Sequence, residues 1–253
     1  MYIYLFIIII LYLAYYHYYV HESFTNNKPK IPKIIIQTWK SNQIPLKYKE
    51  HIESVKNINK NFEFLFFTDQ DIEKFLKENY PDYYLTYMKL PIKIQKIDFF
   101  RYVAVYHYGG FYYDLDMKAM EPLDSIVNNE VVFPLEQKFG HKCNRPRFKY
   151  LCDHHCYEML GNYAFGAVPK NTFLKTLIEN IHYNIDNIIE RYQKDRNFIY
   201  YVYQTTGPDY ISLIYNNYVN KKDITILDNI YDPKKHYFGK YAVHTWAGTW
   251  KRK

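Results

Sequence analysis

Asp114 and Asp116 stand on either side of a single leucine, and chemistry concentrates at this point of the sequence. At the end of a strand, two carboxylates at a spacing of two project to one side and Leu115 to the other. They make a hard, all-oxygen corner suited to Mn²⁺ or Mg²⁺. Upstream, Asp98 and Arg101 lie three residues apart, so on a helix they share a face over one turn. A solvated pair at that spacing is worth only about 0.2–0.5 kcal/mol. Here Ile94, Ile97, Ala104 and Val105 surround the pair, which argues against a freely solvated face. Every cysteine falls in one segment: Cys143, Cys152 and Cys156, with His141, His154 and His155 close by. Three outcomes stay open there: a disulfide with one thiol left over, a Zn²⁺ site without the paired C-x₂-C of structural zinc, or unpaired thiols.

These groups need elements to position them. Residues 95–123 read as an amphipathic helix, a break at Gly109-Gly110, and a short aromatic strand running into Asp114. Glycine takes the left-handed geometry that a helix C-terminus often needs. The continuous apolar run Ile31–Trp39 reads as a buried parallel strand. A helix over 47–58 and a second strand over 62–67 follow. Thr68 with Asp71 three residues on resembles a capping box opening another helix. Strand, helix, strand, helix predicts βαβ units and a mostly parallel sheet. Such sheets bind nucleotides at the carboxyl ends of their strands, where Thr38-Trp39, Thr68-Asp69 and Asp114–Asp116 all fall. Further on, 131–134 reads as a strand and 138–156 as an irregular segment which, following the aspartate pair, is the candidate acceptor-facing loop. Residues 162–173 read as a strand running into a helix, and Thr206-Gly207-Pro208 as a turn opening a helix over 209–218.

The compound pattern D-x-x-R, then G-G-x-Y-x-D-x-D over Asp98–Asp116, resembles the sugar-nucleotide-binding region of the DXD glycosyltransferases grouped as family 32. That family includes initiating Golgi mannosyltransferases and mannosyl-inositolphosphoceramide synthases. Ile31–Trp39 is similar to its first strand, I-P-K-I-I-H-Q-T-W, with Ile36 where the family usually has His. Asn162–Pro169, Thr206-Gly207-Pro208 and the ending from His244 to Trp250 resemble further family segments, with Thr249 in place of Ser. The resemblance implies a single GT-A-type (Rossmann-like) α/β domain over 31–253, acting as a metal-dependent retaining hexosyltransferase. Catalytic roles would fall to Asp98, Arg101, Asp114 and Asp116, and the metal to Asp114, Asp116 and His244. Donor contacts would come from Thr38, Trp39, Asp69, Tyr102, Asn162, Thr206, Gly207 and Trp250. In this picture Arg101 binds the leaving phosphate or sugar, Asp98 accepts from donor-sugar hydroxyls, and Trp39 either stacks on the base or packs at the rim. The implied donor is GDP-mannose, with UDP-hexoses next, and the acceptor a glycan or glycolipid hydroxyl.

At 253 residues, 48% hydrophobic and 23% charged, the chain has material for one substantial core and not for a disordered tail. The formal charge of +7 suits an anionic ligand or surface. The lysines form no basic helix or arm, so nucleic acid is not expected as a partner. The abundance of Tyr, Ile, Lys and Asn reads as AT-rich coding bias, and aromatic content alone is not evidence for sugar stacking. A phosphohydrolase or nuclease using the same aspartates would need more acidic ligands than the pair has nearby. A non-catalytic binding protein would not need the full Asp98, Arg101, Asp114, Asp116 set. Residues 1–20 lack Asp, Glu, Lys and Arg and just reach bilayer-spanning length. They read first as an uncleaved signal anchor, with a cleaved signal peptide and a buried helix as the alternatives, joined by the polar linker 21–30 to the domain. Lys28, Lys30 and Lys33 on the C-terminal side would hold that side in the cytoplasm; the resemblance implies a lumenal, secretory-pathway domain instead.

Overall fold

The computed structural model describes residues 11–13, 15–16, 29–195, 197–232 and 234–245. Most of the proposed anchor and linker, and Trp250, therefore lie outside the described residues. Among those described, no helix is long and apolar enough to cross a membrane.

The chain opens with β1 (Ile34–Thr38), α1 (Leu46–Ile58), β2 (Glu63–Phe67), α2 (Asp69–Asn79), α3 (Pro81–Lys89), α4 (Lys93–Tyr108) and β3 (Gly110–Tyr113). It continues through β4 (Met117–Ala119), β5 (Val131–Lys138), α5 (Pro146–Asp153), β6 (Glu158–Leu160), β7 (Ala164–Ala167), α6 (Thr172–Tyr183) and α7 (Ile185–Lys194). It closes with α8 (Phe198–Thr205), α9 (Pro208–Asn217), β8 (Ile224–Leu227), β9 (His236–Phe238) and β10 (Ala242–His244).

The main sheet runs β2-β1-β3-β7-β5-β6, with β8 also on β5. The expectation of a mostly parallel sheet needs correcting to a mixed one. β1 pairs in parallel with β2 and β3, and β5 with β8, while β7 lies antiparallel between β3 and β5. Hence β1, β2, β3, β5 and β8 all point one way and β7 opposes them. This matters for function, because one edge of the sheet collects the ends of the former and the start of the latter. A small antiparallel sheet, β4-β10-β9, packs beside it and brings the C-terminal strand back to β4.

Two apolar clusters hold these layers. One includes Ile36, Phe99, Val103, Tyr112, Phe165, Leu177 and Ile211, and the other Ile35, Val55, Phe111, Tyr113, Met117, Ala164 and Phe238. Consecutive residues such as Ile35 and Ile36, or Phe111 and Tyr112, fall into different clusters, as the period of two in a doubly covered strand requires. Ile36, where the resembling family carries His, is wholly buried. Helix α4 is not amphipathic as anticipated: Gln95 and every residue from Asp98 to Val105 are buried. It is a central helix, covered all round, and its polar groups therefore need internal partners.

Two local signals act as their chemistry dictates. Gly110 sits at φ 86°, and a Cβ there would come within 2.5 Å of the Ile34 carbonyl oxygen, so the strand after α4 can pass β1 only as glycine. Thr68 caps α2 reciprocally with Asp71, the hydroxyl accepting from the Asp71 amide while the Asp71 carboxylate accepts from the Thr68 amide. Thr68→Ala should cost about 1 kcal/mol, read as a lowered urea midpoint with an unchanged slope.

The segment 138–156 is more ordered than expected. A 3₁₀ turn spans Gly140–Asn144, α5 follows, and Cys143 is disulfide-bonded to Cys152. Cys156 is free and buried. With two of the sulfurs joined, the zinc alternative falls away. Among the described residues, none of 138–156 lines the central cavity.

Candidate active site

A cavity of about 550 Å³ opens at the sheet edge where the strands β1, β2, β3 and β5 end. It lies within the range of about 300–1,000 Å³ usual for small-molecule sites. Thr38 and Trp39 reach it from the end of β1, and Asp69 from the start of α2. Asp114 and Asp116 follow β3. Asn162 precedes β7, and because β7 is antiparallel, its start meets the end of β3. The register Tyr113↔Ala164 and the bond from the Asp114 amide to the Tyr163 carbonyl (2.8 Å) fix that junction.

The aspartate pair does not extend the strand. The Met117 amide donates to the Asp114 carbonyl at 3.1 Å, closing a tight turn around Leu115 and Asp116. Both carboxylates, and Leu115 with them, line the cavity. The spacing thus works through a turn and not through strand alternation. Opposite Asp116, β10 delivers His244, whose Nε2 lies 3.1 Å from Asp116 Oδ1. Its ring stacks on Tyr163, with centroids 4.8 Å apart. One ligand atom from each of Asp114, Asp116 and His244 lies within 4.8 Å of the others. Two donors each about 2.1 Å from one ion are at most about 4.2 Å apart, so the three side chains would close in slightly to share a single small divalent cation. Two carboxylates and an imidazole match the chemistry of Mn²⁺ and tolerate Mg²⁺.

Beneath this cluster lies a buried polar knot. Arg101 is 3% exposed and donates from one terminal nitrogen to the Asn162 carbonyl at 2.5 Å. Its other terminal nitrogen is 3.4 Å from Asp98 and 3.2 Å from Asp114. The guanidinium lies over the Tyr112 ring at 4.6 Å. Asp98 accepts from the Asn162 side chain at 3.0 Å and from the Thr206 hydroxyl at 2.9 Å. The ion pair foreseen from the i,i+3 spacing is therefore part of an interior network and not a surface pair.

The other anticipated donor residues divide by location. Thr38, Trp39, Asp69, Asn162 and Gly207 line the cavity. Tyr102 and Thr206 do not; both are fully buried, and the Tyr102 hydroxyl donates to the Thr206 carbonyl at 2.7 Å. They hold the Thr206-Gly207 turn against α4 from behind. Trp39 meets Tyr48 edge-on at 5.1 Å, and its indole nitrogen is buried without a hydrogen-bond partner. Asp69 pairs with Lys93 at the same rim. Sequence reasoning gave no role to Tyr112 or Tyr163. The Tyr112 hydroxyl donates to Asp114 at 2.9 Å and lies 3.1 Å from the Thr38 hydroxyl, joining the ends of β1 and β3. Its place inside the G-G-x-Y-x-D pattern was the available signal; for Tyr163 there was none.

Electrostatics follow burial. Asp98 is pushed up to about 7 by its loss of solvent, with Arg101 pulling the other way. Burial likewise raises Asp114, against the same guanidinium. For Arg101, burial opposes the charge, but Asp114, Tyr112 and Asp98 outweigh it and hold the guanidinium protonated. An unfolded aspartate titrates near 3.9. Between roughly that value and 7 the native state keeps a proton that the unfolded chain has lost, so this group makes stability fall as pH rises across the window. Asp98→Asn should flatten that slope by up to about 1.4 kcal/mol per pH unit. Urea titrations from pH 4.5 to 7.5 in EDTA would show it, and equal slopes in both proteins would refute it.

Comparison with known proteins follows the same line. Residues 45–133 match the family described as glycosyltransferase sugar-binding region containing DXD motif. Inositol phosphoceramide mannosyltransferase 3 of Schizosaccharomyces pombe is 26% identical over 90% of this chain and 59% of its own length. Inositol phosphoceramide mannosyltransferase 1 of the same yeast is 30% identical over 60% of this chain and 43% of its own. Mannosyl phosphorylinositol ceramide synthase CSH1 of Saccharomyces cerevisiae is 25% identical over 78% of this chain and 46% of its own. The chain thus spans from under half to about six-tenths of the length of these relatives. Over residues 45–133 it is similar to the sugar-binding region of the DXD-type glycosyltransferases.

Proposed function

We propose that this chain is a metal-dependent, retaining hexosyltransferase on a GT-A-type scaffold. It moves mannose in preference to a UDP-linked hexose from a nucleotide-sugar donor to a glycolipid or glycan hydroxyl. The observation that carries this reading is the Asp114, Asp116 and His244 cluster at the mouth of a cavity backed by the buried Asp98–Arg101 pair. The mannosyltransferase names of the relatives support the sugar.

In this reading Asp114, Asp116 and His244 hold Mn²⁺ or Mg²⁺, which when bound supplies Lewis-acid neutralisation of the departing nucleoside diphosphate. Arg101 is engaged on three protein oxygens, so it keeps Asp114 ionised and aimed and balances the buried negative charge. Asp98, with both oxygens already engaged, ties the Gly207 turn and Asn162 to one helix and so shapes the wall that meets the sugar. Trp39 offers its indole face and N–H to the base. Front-face attack by the acceptor hydroxyl accounts for retention without an enzyme nucleophile. A lumenal placement belongs to the same reading and is supported by the Cys143–Cys152 disulfide, a bond that persists in oxidising compartments.

The test is nucleotide release by the full chain from GDP-mannose, UDP-glucose, UDP-galactose and UDP-N-acetylglucosamine, each with Mn²⁺ or EDTA. Metal-dependent release from GDP-mannose is expected. A protein that neither hydrolyses nor, by calorimetry, binds any of the four would end this reading.

A further inference from the structure

The cavity holds one more acidic side chain than the DXD pattern and its buried knot explain. Of the carboxylates lining it, Asp98 is engaged on both oxygens, and Asp69 pairs with Lys93. Asp114 and Asp116 belong to the metal cluster. Glu136 also lines the cavity, with its side chain only 11% exposed. Its Oε1 is 3.2 Å from Nδ1 of His236 on β9, a close contact whose angle is not that of a hydrogen bond. A carboxylate loses solvation on burial and needs compensating donors. Hydroxyls entering the cavity would supply them.

The backbone is built to put it there. Strand β5 runs in the same direction as β3, because each is antiparallel to β7. Its carboxyl end therefore reaches the same sheet edge as Asp114. At that end the pairing with β6 slips, from Leu135↔Leu160 to Gln137↔Met159, so Glu136 is an extra residue with no cross-strand partner. A bulge of this kind bends the strand and re-aims a side chain, and bulges concentrate next to active sites. Tyr163 packs between the two halves of the arrangement, its ring stacked on His244 and edge-on to His236 at 6.1 Å. The metal cluster and the Glu136–His236 pair are thus held against one aromatic side chain.

We propose that Glu136 is the acceptor-binding carboxylate of this site. Its carboxylate accepts hydrogen bonds from hydroxyls of a polyhydroxylated acceptor, and His236, packed 3.2 Å from Oε1, limits its orientation. Hydrogen bonds to an ionised acceptor are about twice as strong as neutral ones. A site built to bind a hydroxyl discriminates strongly through it. No bond is made or broken at Glu136; it places the attacking hydroxyl. The assignment rests on the glycosyl-transfer reading above.

Glu136→Gln and Glu136→Ala in the full chain separate the two ideas. The donor is GDP-mannose with Mn²⁺, and the acceptor probes are inositol phosphoceramide in detergent micelles and methyl α-mannopyranoside. We expect the acceptor KM to rise about tenfold in the glutamine variant and about 30-fold or more in the alanine variant. Donor KM, calorimetric GDP-mannose affinity and melting temperature of the glutamine variant should stay near those of the parent. His236→Asn should raise the acceptor KM about threefold, since it disturbs the orientation alone. Unchanged acceptor kinetics in the variants of an active parent overturn this assignment and leave the transferase reading standing. So does a rise in donor KM equal to that for acceptor. A parent that releases GDP but glycosylates neither probe overturns the acceptor class together with this assignment. A parent inert toward every donor overturns both readings.

Discussion

Asp116→Asn is expected to lower kcat/KM by about 10³-fold and to abolish the dependence on added Mn²⁺, with little effect on the fold. The loss corresponds to about 4 kcal/mol of transition-state stabilisation, within what a divalent ion contributes to a developing phosphate charge. Asparagine retains the shape of the side chain but not its charge, so a cation held by Asp114, Asp116 and His244 loses its best ligand. The turn itself does not depend on the carboxylate, because the Asp116 carbonyl accepts from the Thr245 amide at 2.9 Å and from its hydroxyl at 2.8 Å. Melting temperature should therefore move little in metal-free buffer, while Mn²⁺ should no longer raise it. A variant that keeps more than a tenth of the metal-dependent turnover would remove Asp116 from the site.

Arg101→Ala should have the largest effect on stability, a loss of about 3–5 kcal/mol. Its guanidinium is the cation that faces both Asp98 and Asp114 in the interior, and removing it strands two buried carboxyls. Those carboxyls would then take up protons, so the variant should lose stability most at high pH and recover part of it toward pH 5. Arg101→Lys restores charge but not the planar fork that reaches the Asn162 carbonyl with one nitrogen and Asp98 and Asp114 with the other. It should rescue stability only in part, and activity less, since Asp114 would no longer be held in register with Asp116. Urea unfolding at pH 5 and pH 8 checks the sign. A loss that is smaller at pH 8 than at pH 5 would contradict the buried-charge account.

Much of this site could be read in the sequence because it is encoded locally. The D-x-x-R pair, the glycine break, the capping threonine and the D-x-D pair each occupy a few consecutive residues, although the turn that carries the last of these was not foreseen. The convergence of the β1, β2 and β3 ends followed from the strand–helix alternation alone. What escaped is non-local. Whether a short strand such as β7 enters parallel or antiparallel depends on its neighbours, and that direction decides whether Asn162 or Val168 meets the metal cluster. The Glu136 bulge is defined only against β6, so no pattern within β5 announces it. Burial of Tyr102 and Thr206 behind the cavity wall likewise depends on how α4 and the turn before α9 face each other. The Cys143–Cys152 bridge was one of three open outcomes, because α5, the helix that sets their separation, was read as irregular.

The return of β10 to β4 bears on the order in which a newly synthesised chain becomes competent. His244 closes on Asp116 across 128 residues, and Thr206 closes on Asp98 across 108. Contacts of such long sequence separation form late and slowly. A nascent chain stalled before residue 206 would hold both aspartates of the turn but lack the Gly207 and His244 side of the cavity. A chain stalled before 244 would lack the imidazole of the Asp114, Asp116 and His244 cluster. Assembly of the cavity therefore waits on synthesis through residue 244, long after its aspartates have left the ribosome.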